Sequence, residues 1–177
     1  YQNDGTASAA GHVRIYNYTP SGTASWTQLG ADINGEAASD YSGGSVSLSA
    51  DGTKVAIGAY GNDGTASAAG HVRIYNYTPS GTASWTQLGA DINGEAASDQ
   101  SGVSVSLSSD GTKVAIGARY NDGTASAAGH VRIYNYTPSG TASWTQLGAD
   151  INGEAASDQS GYSVSLSSDG TKVAIGA

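Results

Sequence analysis

The chain repeats itself. Its 177 residues divide into three units, 1–59, 60–118 and 119–177, and only five columns differ between them. These are Tyr1/Tyr60/Arg119, Gln2/Gly61/Tyr120, Tyr41/Gln100/Gln159, Gly44/Val103/Tyr162 and Ala50/Ser109/Ser168. A fixed period of this size implies one supersecondary unit built three times, each copy packing on the next, as in propellers, solenoids and arrays. Near-identity points to recent duplication, concerted evolution or design. It also sets every unit in nearly the same surroundings.

Within each period the stretch 45–59 carries the clearest pattern. Val46 and Leu48 alternate with serines, Asp51-Gly52 supplies a tight turn, and Val55 and Ile57 resume the alternation against Lys54, Ala56 and Gly58. Period-2 alternation on both sides of an Asp-Gly turn predicts a β-hairpin, recurring at 104–118 and 163–177. One face holds Val, Leu, Val and Ile; the other holds Ser, Ala and Gly, too small to fill a core alone. Such a sheet needs a neighbour whose bulky face lies against its small face, and the identical units provide it.

The rest of the period reads as two more strands. His12-Val13-Arg14-Ile15-Tyr16-Asn17-Tyr18-Thr19 is rich in β-branched and aromatic residues and ends at Thr19-Pro20-Ser21-Gly22, where Pro20 cannot donate to a ladder. Ser25-Trp26-Thr27-Gln28-Leu29 is a short strand, and 30–43 is a longer connection. Nothing has a helical period. Four short strands per repeat predict an all-β fold of tandem four-stranded antiparallel blades of the propeller type.

These residues resemble the FG-GAP repeats of integrin α-subunit propellers. The resemblance rests on Ser160-Gly161-Tyr162-Ser163-Val164-Ser165-Leu166, Val173-Ala174-Ile175-Gly176-Ala177, Gly129-His130-Val131-Arg132-Ile133-Tyr134, Ser143-Trp144-Thr145-Gln146 and the link 151–158. It departs from the family where Phe before Gly is Ser42, Ser101 and Ser160, and where Pro after Gly-Ala is Tyr60 or Arg119. The resemblance implies that the first hairpin strand lies nearest the propeller axis and the Trp strand outermost. On that plan 42–88 and 101–147 are whole blades, 12–29 is an outer half-blade and 160–177 an inner one. Three blades are too few for a ring, and unpaired edges are a liability, so head-to-tail pairing with another chain or further repeats is expected. Two chains would make six blades. With no initiator Met and no signal peptide, a fragment or processed product is expected.

The family's calcium loop in the inner hairpin is shortened here to one carboxylate, with Lys54 near the last ligand position. Asp51, Asp110 and Asp169 therefore read as turn residues, since Ca²⁺ wants six to eight oxygens. The run Asp32-Ile33-Asn34-Gly35-Glu36 starts like an EF-hand loop, but Ala37 stands at the sixth position and Gly43 at the twelfth. A weaker site combining Asp32, Glu36 and Asp40 with the Asn-Asp pair of the following unit stays open. His12, His71 and His130 have no Cys near them and no acid adjoining them in sequence; they read as packed strand residues rather than metal ligands. No nucleophile elbow is present, and identical repeats argue against an active site, which usually breaks symmetry. No catalytic residue, cofactor or metal is expected.

Net charge is −8, with acids spread over turns and no basic patch, so no nucleic-acid partner is expected. No apolar run is long enough for a membrane-spanning helix, so no membrane insertion is expected. There is no Cys, hence no disulfide and no thiolate site. Asn17, Asn76 and Asn135 begin N-glycosylation sequons. Trp26, Trp85 and Trp144 with Tyr16 and Tyr18 suit packing between blades, with sugar stacking as the alternative. The expected function is a non-enzymatic structural, assembly or adhesion repeat of an extracellular or cell-surface protein, self-associating into a ring or filament. The alternative is a carbohydrate- or protein-binding propeller using rim positions Tyr1, Tyr41, Tyr120 and Tyr162, where the variable columns gather.

Overall fold

A computed structural model describes residues 3, 5–79, 83–138 and 143–177. Tyr1, Gln2, Asp4 and residues 80–82 and 139–142 lie outside them. The fold is all-β, tandem antiparallel blades of the propeller type, built among the described residues from sixteen short strands.

The first whole blade comprises β5 (Ser45–Leu48), β6 (Lys54–Ala59), β7 (His71–Thr78), β8 (Ser84–Gln87) and β9 (Ile92–Asn93), in the order β5-β6-β7-β8. The second is β10 (Ser104–Leu107), β11 (Lys113–Ala118), β12 (His130–Thr137), β13 (Ser143–Gln146) and β14 (Ile151–Asn152). Before them stand outer strands alone: β1 (His12–Val13), β2 (Tyr16–Thr19), β3 (Ser25–Gln28) and β4 (Ile33–Asn34). After them stands an inner hairpin alone, β15 (Ser163–Leu166) and β16 (Val173–Gly176).

Two details differ from the sequence reading. The connection after the Trp strand carries a further strand: Ile92 pairs with Val72 and Asn93 with His71, on the β7 edge that β8 also uses. The outer edge is thus one strand broken at Leu88-Gly89, where Gly89 takes φ +79°, a conformation that side chains with a Cβ rarely adopt. The whole blades extend to Asn93 and Asn152 accordingly. Second, 12–19 is one strand only where an inner hairpin lies beside it. In the first unit it is split into β1 and β2, because nothing pairs its inner edge among the described residues.

Register explains the packing. Val46 faces Ile57, Leu48 faces Val55, and the same row runs on to Arg73 and Tyr75. The opposite face presents Ser45, Ser47, Ala56 and Gly58 with Val72 and Ile74. Ala56, Val72, Ile74 and Ile92 then form one buried cluster with Val105, Leu107, Val114, Ile116 and Tyr134 of the next blade. Small face meets large face, as the alternation requires.

The serines do more than leave room. Ser45 Oγ donates to Gly102 O at 2.7 Å, and Ser47 Oγ accepts from Leu107 N at 2.9 Å. Ser104 and Ser106 repeat both contacts with Gly161 and Leu166. Backbone groups of one inner strand are therefore satisfied by side chains of the blade before it, as buried polar groups must be. Outside, Trp85 Nε1 donates to Leu29 O and Trp144 Nε1 to Leu88 O, each at 2.7 Å.

At Gly58 and Gly117 the blades touch through bare backbone. A Cβ there would overlap the carbonyl oxygens of Gly102 and Gly161. Gly52 has φ +68° but open space around it. Gly117→Ala is therefore expected to destabilise by about 3 kcal/mol, through overpacking against rigid backbone. Gly52→Ala costs about 1–2 kcal/mol, from its left-handed φ alone. Urea unfolding followed by circular dichroism ranks the two.

Candidate functional site

Every blade seam needs a bulky face and a small face, and the chain leaves one of each uncovered. At the first end, Val46 and Leu48 are 53% and 50% exposed, whereas their equivalents Val105 and Leu107 are 8% and 7% exposed. Tyr16, Tyr18 and Trp26 stand exposed beside them. An apolar groove of about 470 Å³ lies here, walled by Val13, Ile15, Trp26, Val46, Leu48 and Val55. At the other end, Ile151 is 39% exposed where Ile33 and Ile92 are buried. There the serine face of β15–β16 is open as well.

A polar cluster straddles each internal seam. His71 is 1% exposed on β7, and its backbone is paired on both edges, with Ala59 and Asn93. Its Nδ1 lies 4.0 Å from Glu36 Oε2, supplied by the preceding unit, and 3.8 Å from Asp91 Oδ2. The other oxygen of each carboxylate is anchored: Glu36 Oε1 to Arg73 at 3.1 Å, and Asp91 Oδ1 to Gln87 Nε2 at 2.6 Å. Arg73 also donates to Asn34 O at 3.0 Å, across the seam. The next seam repeats the arrangement with His130, Glu95, Asp150, Arg132 and Gln146. Burial, aided by the neighbouring guanidinium, pushes both imidazoles below the ordinary histidine pKa, while the carboxylates oppose this. Burial likewise raises the phenols of Tyr75 and Tyr134.

The sequence placed no acid beside these histidines. The structure places two, because β9 brings Asp91 back along β7 while the connection from the previous blade delivers Glu36. Of the combined acidic site considered from sequence, two members meet at the second seam, where Asn121 Nδ2 donates to Asp99 Oδ2 at 2.9 Å. The equivalent Asp40 turns inward, its Oδ2 accepting from Glu36 N and Ala37 N at 3.1 and 2.9 Å. A signal did exist: the acids and the histidine recur at fixed spacing in every unit.

The hairpin aspartates sit in their own turns. Asp51 Oδ1 accepts from Ser49 Oγ, Thr53 N and Thr53 Oγ1 at 2.6, 3.0 and 2.9 Å. Asn76 and Asn135 of the sequons lie inside strands paired on both edges and are half-buried, whereas Asn17 is exposed. Tyr77 and Tyr136 tilt against Trp85 and Trp144 with ring centroids 5.2 Å apart.

Four of the five variable columns meet in space. Tyr41 stacks on Tyr60 at 5.2 Å, over the space left by Gly44. One unit later Arg119 Nε donates to Gln100 Oε1 at 3.0 Å. The Arg119 guanidinium also lies 4.6 Å from the Tyr120 ring and 5.5 Å from that of Tyr162, itself 57% exposed. Tyr1, the remaining rim candidate, is outside the described residues. Among the described residues no helix is long and apolar enough to cross a membrane.

Compared with protein-family models and with curated proteins, the chain finds no match.

The hairpin turns make acid stability predictable. Ser49 and Thr53 hold the Asp51 carboxyl down at about 2, and Ser108 and Thr112 do the same for Asp110; Asp169 is held low by Ser167 and Thr171. A carboxyl whose folded pKa is depressed contributes stability above its unfolded value, near 3.8, and loses it as pH falls through the folded one. The urea midpoint is therefore expected to drop between about pH 4 and pH 2. Asp110→Ala should flatten that drop and cost under about 1 kcal/mol at pH 7, because water screens so exposed a group.

Proposed function

We propose that this chain is a non-enzymatic structural repeat whose work is to join head to tail, the inner hairpin of one copy completing the outer half-blade of the next. The observation that carries the reading is internal. Val105 and Leu107 are buried because the β5–β6 hairpin lies against them, and the same side chains at Val46 and Leu48 stand half exposed for want of such a hairpin. The β15–β16 hairpin of a second copy has the sequence that fits. Its Ala174 would stand opposite Ile15, as Ala115 stands opposite Ile133. The same step would cover Ile151 with the partner's outer strands and leave no unpaired edge at the join, the usual way of protecting sheet edges.

Such a contact is heterologous, so it closes into a ring or continues as a filament. The strand plan and the motifs support an FG-GAP-like propeller of an extracellular or cell-surface protein, with two chains giving six blades. Light scattering on the purified chain is expected to return multiples of 17.6 kDa, and negative-stain microscopy rings or regular filaments. Val46→Glu with Leu48→Glu should return the mass to one chain without unfolding it, since both side chains already face water. The affinity should fall at least about 100-fold, because a carboxylate would be buried unpaired at the join. A wild-type chain that stays monomeric at high micromolar concentration overturns the reading.

A second reading draws on the rim. Four of the five columns that differ between units come together there as contacting sets, Tyr41 with Tyr60 and Gln100 with Arg119, Tyr120 and Tyr162 close by. A binding surface for carbohydrate or protein would vary in just this place. Glycan-array binding that Tyr41→Ala with Tyr162→Ala abolishes, with assembly intact, is the expected sign of it; a blank array removes this second reading.

A further inference from the structure

We propose that the gap between His71, Glu36 and Asp91, and its repeat between His130, Glu95 and Asp150, is a binding site for a divalent transition-metal cation of the Zn²⁺ kind, one at each internal blade seam. The proposal does not depend on assembly, because both complete sites lie within one chain.

Three ligand atoms converge in each gap, all within 4.8 Å of one another. The Nδ1-to-carboxylate distances, 3.8–4.0 Å, are too long for hydrogen bonds. They are close to the separation of about 3.4 Å between two ligands on a tetrahedral ion with bonds of about 2.1 Å. The remaining difference is within reach of carboxylates that are one-third to one-half exposed. His130 Nδ1, the atom that faces both carboxylates, is buried without a hydrogen-bond partner. An ion accounts for that orphaned nitrogen; a purely structural polar cluster leaves it unexplained. At His71 the same Nδ1 faces Glu36 and Asp91, and the unpartnered nitrogen is Nε2, on the other side of the ring.

The surroundings suit a metal. Arg73 and Gln87 bind the outward oxygens of Glu36 and Asp91, leaving Oε2 and Oδ2 aimed at the imidazole, and outer partners of this sort orient metal ligands. Two carboxylates against one guanidinium leave a net negative charge for a cation to balance. One imidazole and two carboxylates, with water entering from the exposed side, favour Zn²⁺ over Ca²⁺, which needs more oxygens than the gap offers. The third set is parted: His12 and Asp32 stand at one end of the chain, with Gln28 bonded to Asp32 at 2.7 Å, and Glu154 is exposed at the other.

The test is calorimetric titration of the chelator-stripped chain with Zn²⁺, and with Ca²⁺ as control. Saturation at two Zn²⁺ per chain, or three where copies join, is expected, with a raised Tm and no matching Ca²⁺ isotherm. Asp91→Asn with Asp150→Asn should weaken binding at least 100-fold while circular dichroism and the metal-free Tm stay unchanged. His71→Gln with His130→Gln is the second pair, should the first disturb the fold. No saturable Zn²⁺ binding by the wild type overturns the proposal, whatever the variants do. So does unchanged binding in either folded variant, which would assign the ions to surface carboxylates.

Discussion

The structure depends on how closely one inner hairpin can approach the next. The face made of Ser45, Ser47, Ala56 and Gly58 lets a second hairpin settle against it until backbone touches backbone at Gly58 and Gly102. That closeness buries Val105, Leu107, Val114 and Ile116 and puts the serine hydroxyls within hydrogen-bonding reach of the neighbour's main chain. A larger residue on the small face would hold the hairpins apart and lose the apolar burial and the hydrogen bonds together. Core, polar satisfaction and blade spacing therefore rest on one steric fact.

Repetition turns that fact into a rule for the ends. Each seam requires a bulky face from one unit and a small face from another. An array therefore presents one unmatched face of each kind wherever it stops. Trp26, Val46 and Leu48 at one end and Ile151 at the other are exposed for the same reason that Trp85 and Trp144 are partly covered. The polar clusters obey the same rule. Glu36 and Glu95 come from the unit before the histidine they face, so the gap exists only where two units are stacked.

The few differences between units are also organised by contact. Gly44 leaves the space that the Tyr60 ring fills beside Tyr41. Where Gln100 replaces that tyrosine, Arg119 replaces its partner, and a hydrogen bond replaces the stack. The exchange keeps each set self-consistent at the rim, whereas the fifth column, Ala50, Ser109 and Ser168, meets across the seams through main chain alone, Ala50 N donating to Ser109 O and Ser109 N to Ser168 O at 2.8 Å.

Much of this was legible in the chain. The period fixed the number of units, and the alternation through Val46, Leu48, Val55 and Ile57 with the Asp51-Gly52 turn fixed the hairpin, its register and its two unlike faces. Those are local properties of a chain whose side chains alternate across a strand, and identical units must then pack alike. Two features were not legible. Ile92-Asn93 is too short to show a strand pattern; it pairs because β7 extends past β8 and offers free backbone groups to whatever returns there. The meeting of Glu36, His71 and Asp91 joins residues far apart in the chain, and it depends on the angle and distance at which two blades stack. Sequence determined the blade; only the tertiary structure decided which charged groups face one another across the seam, because that depends on a separation set by packing rather than by order along the chain.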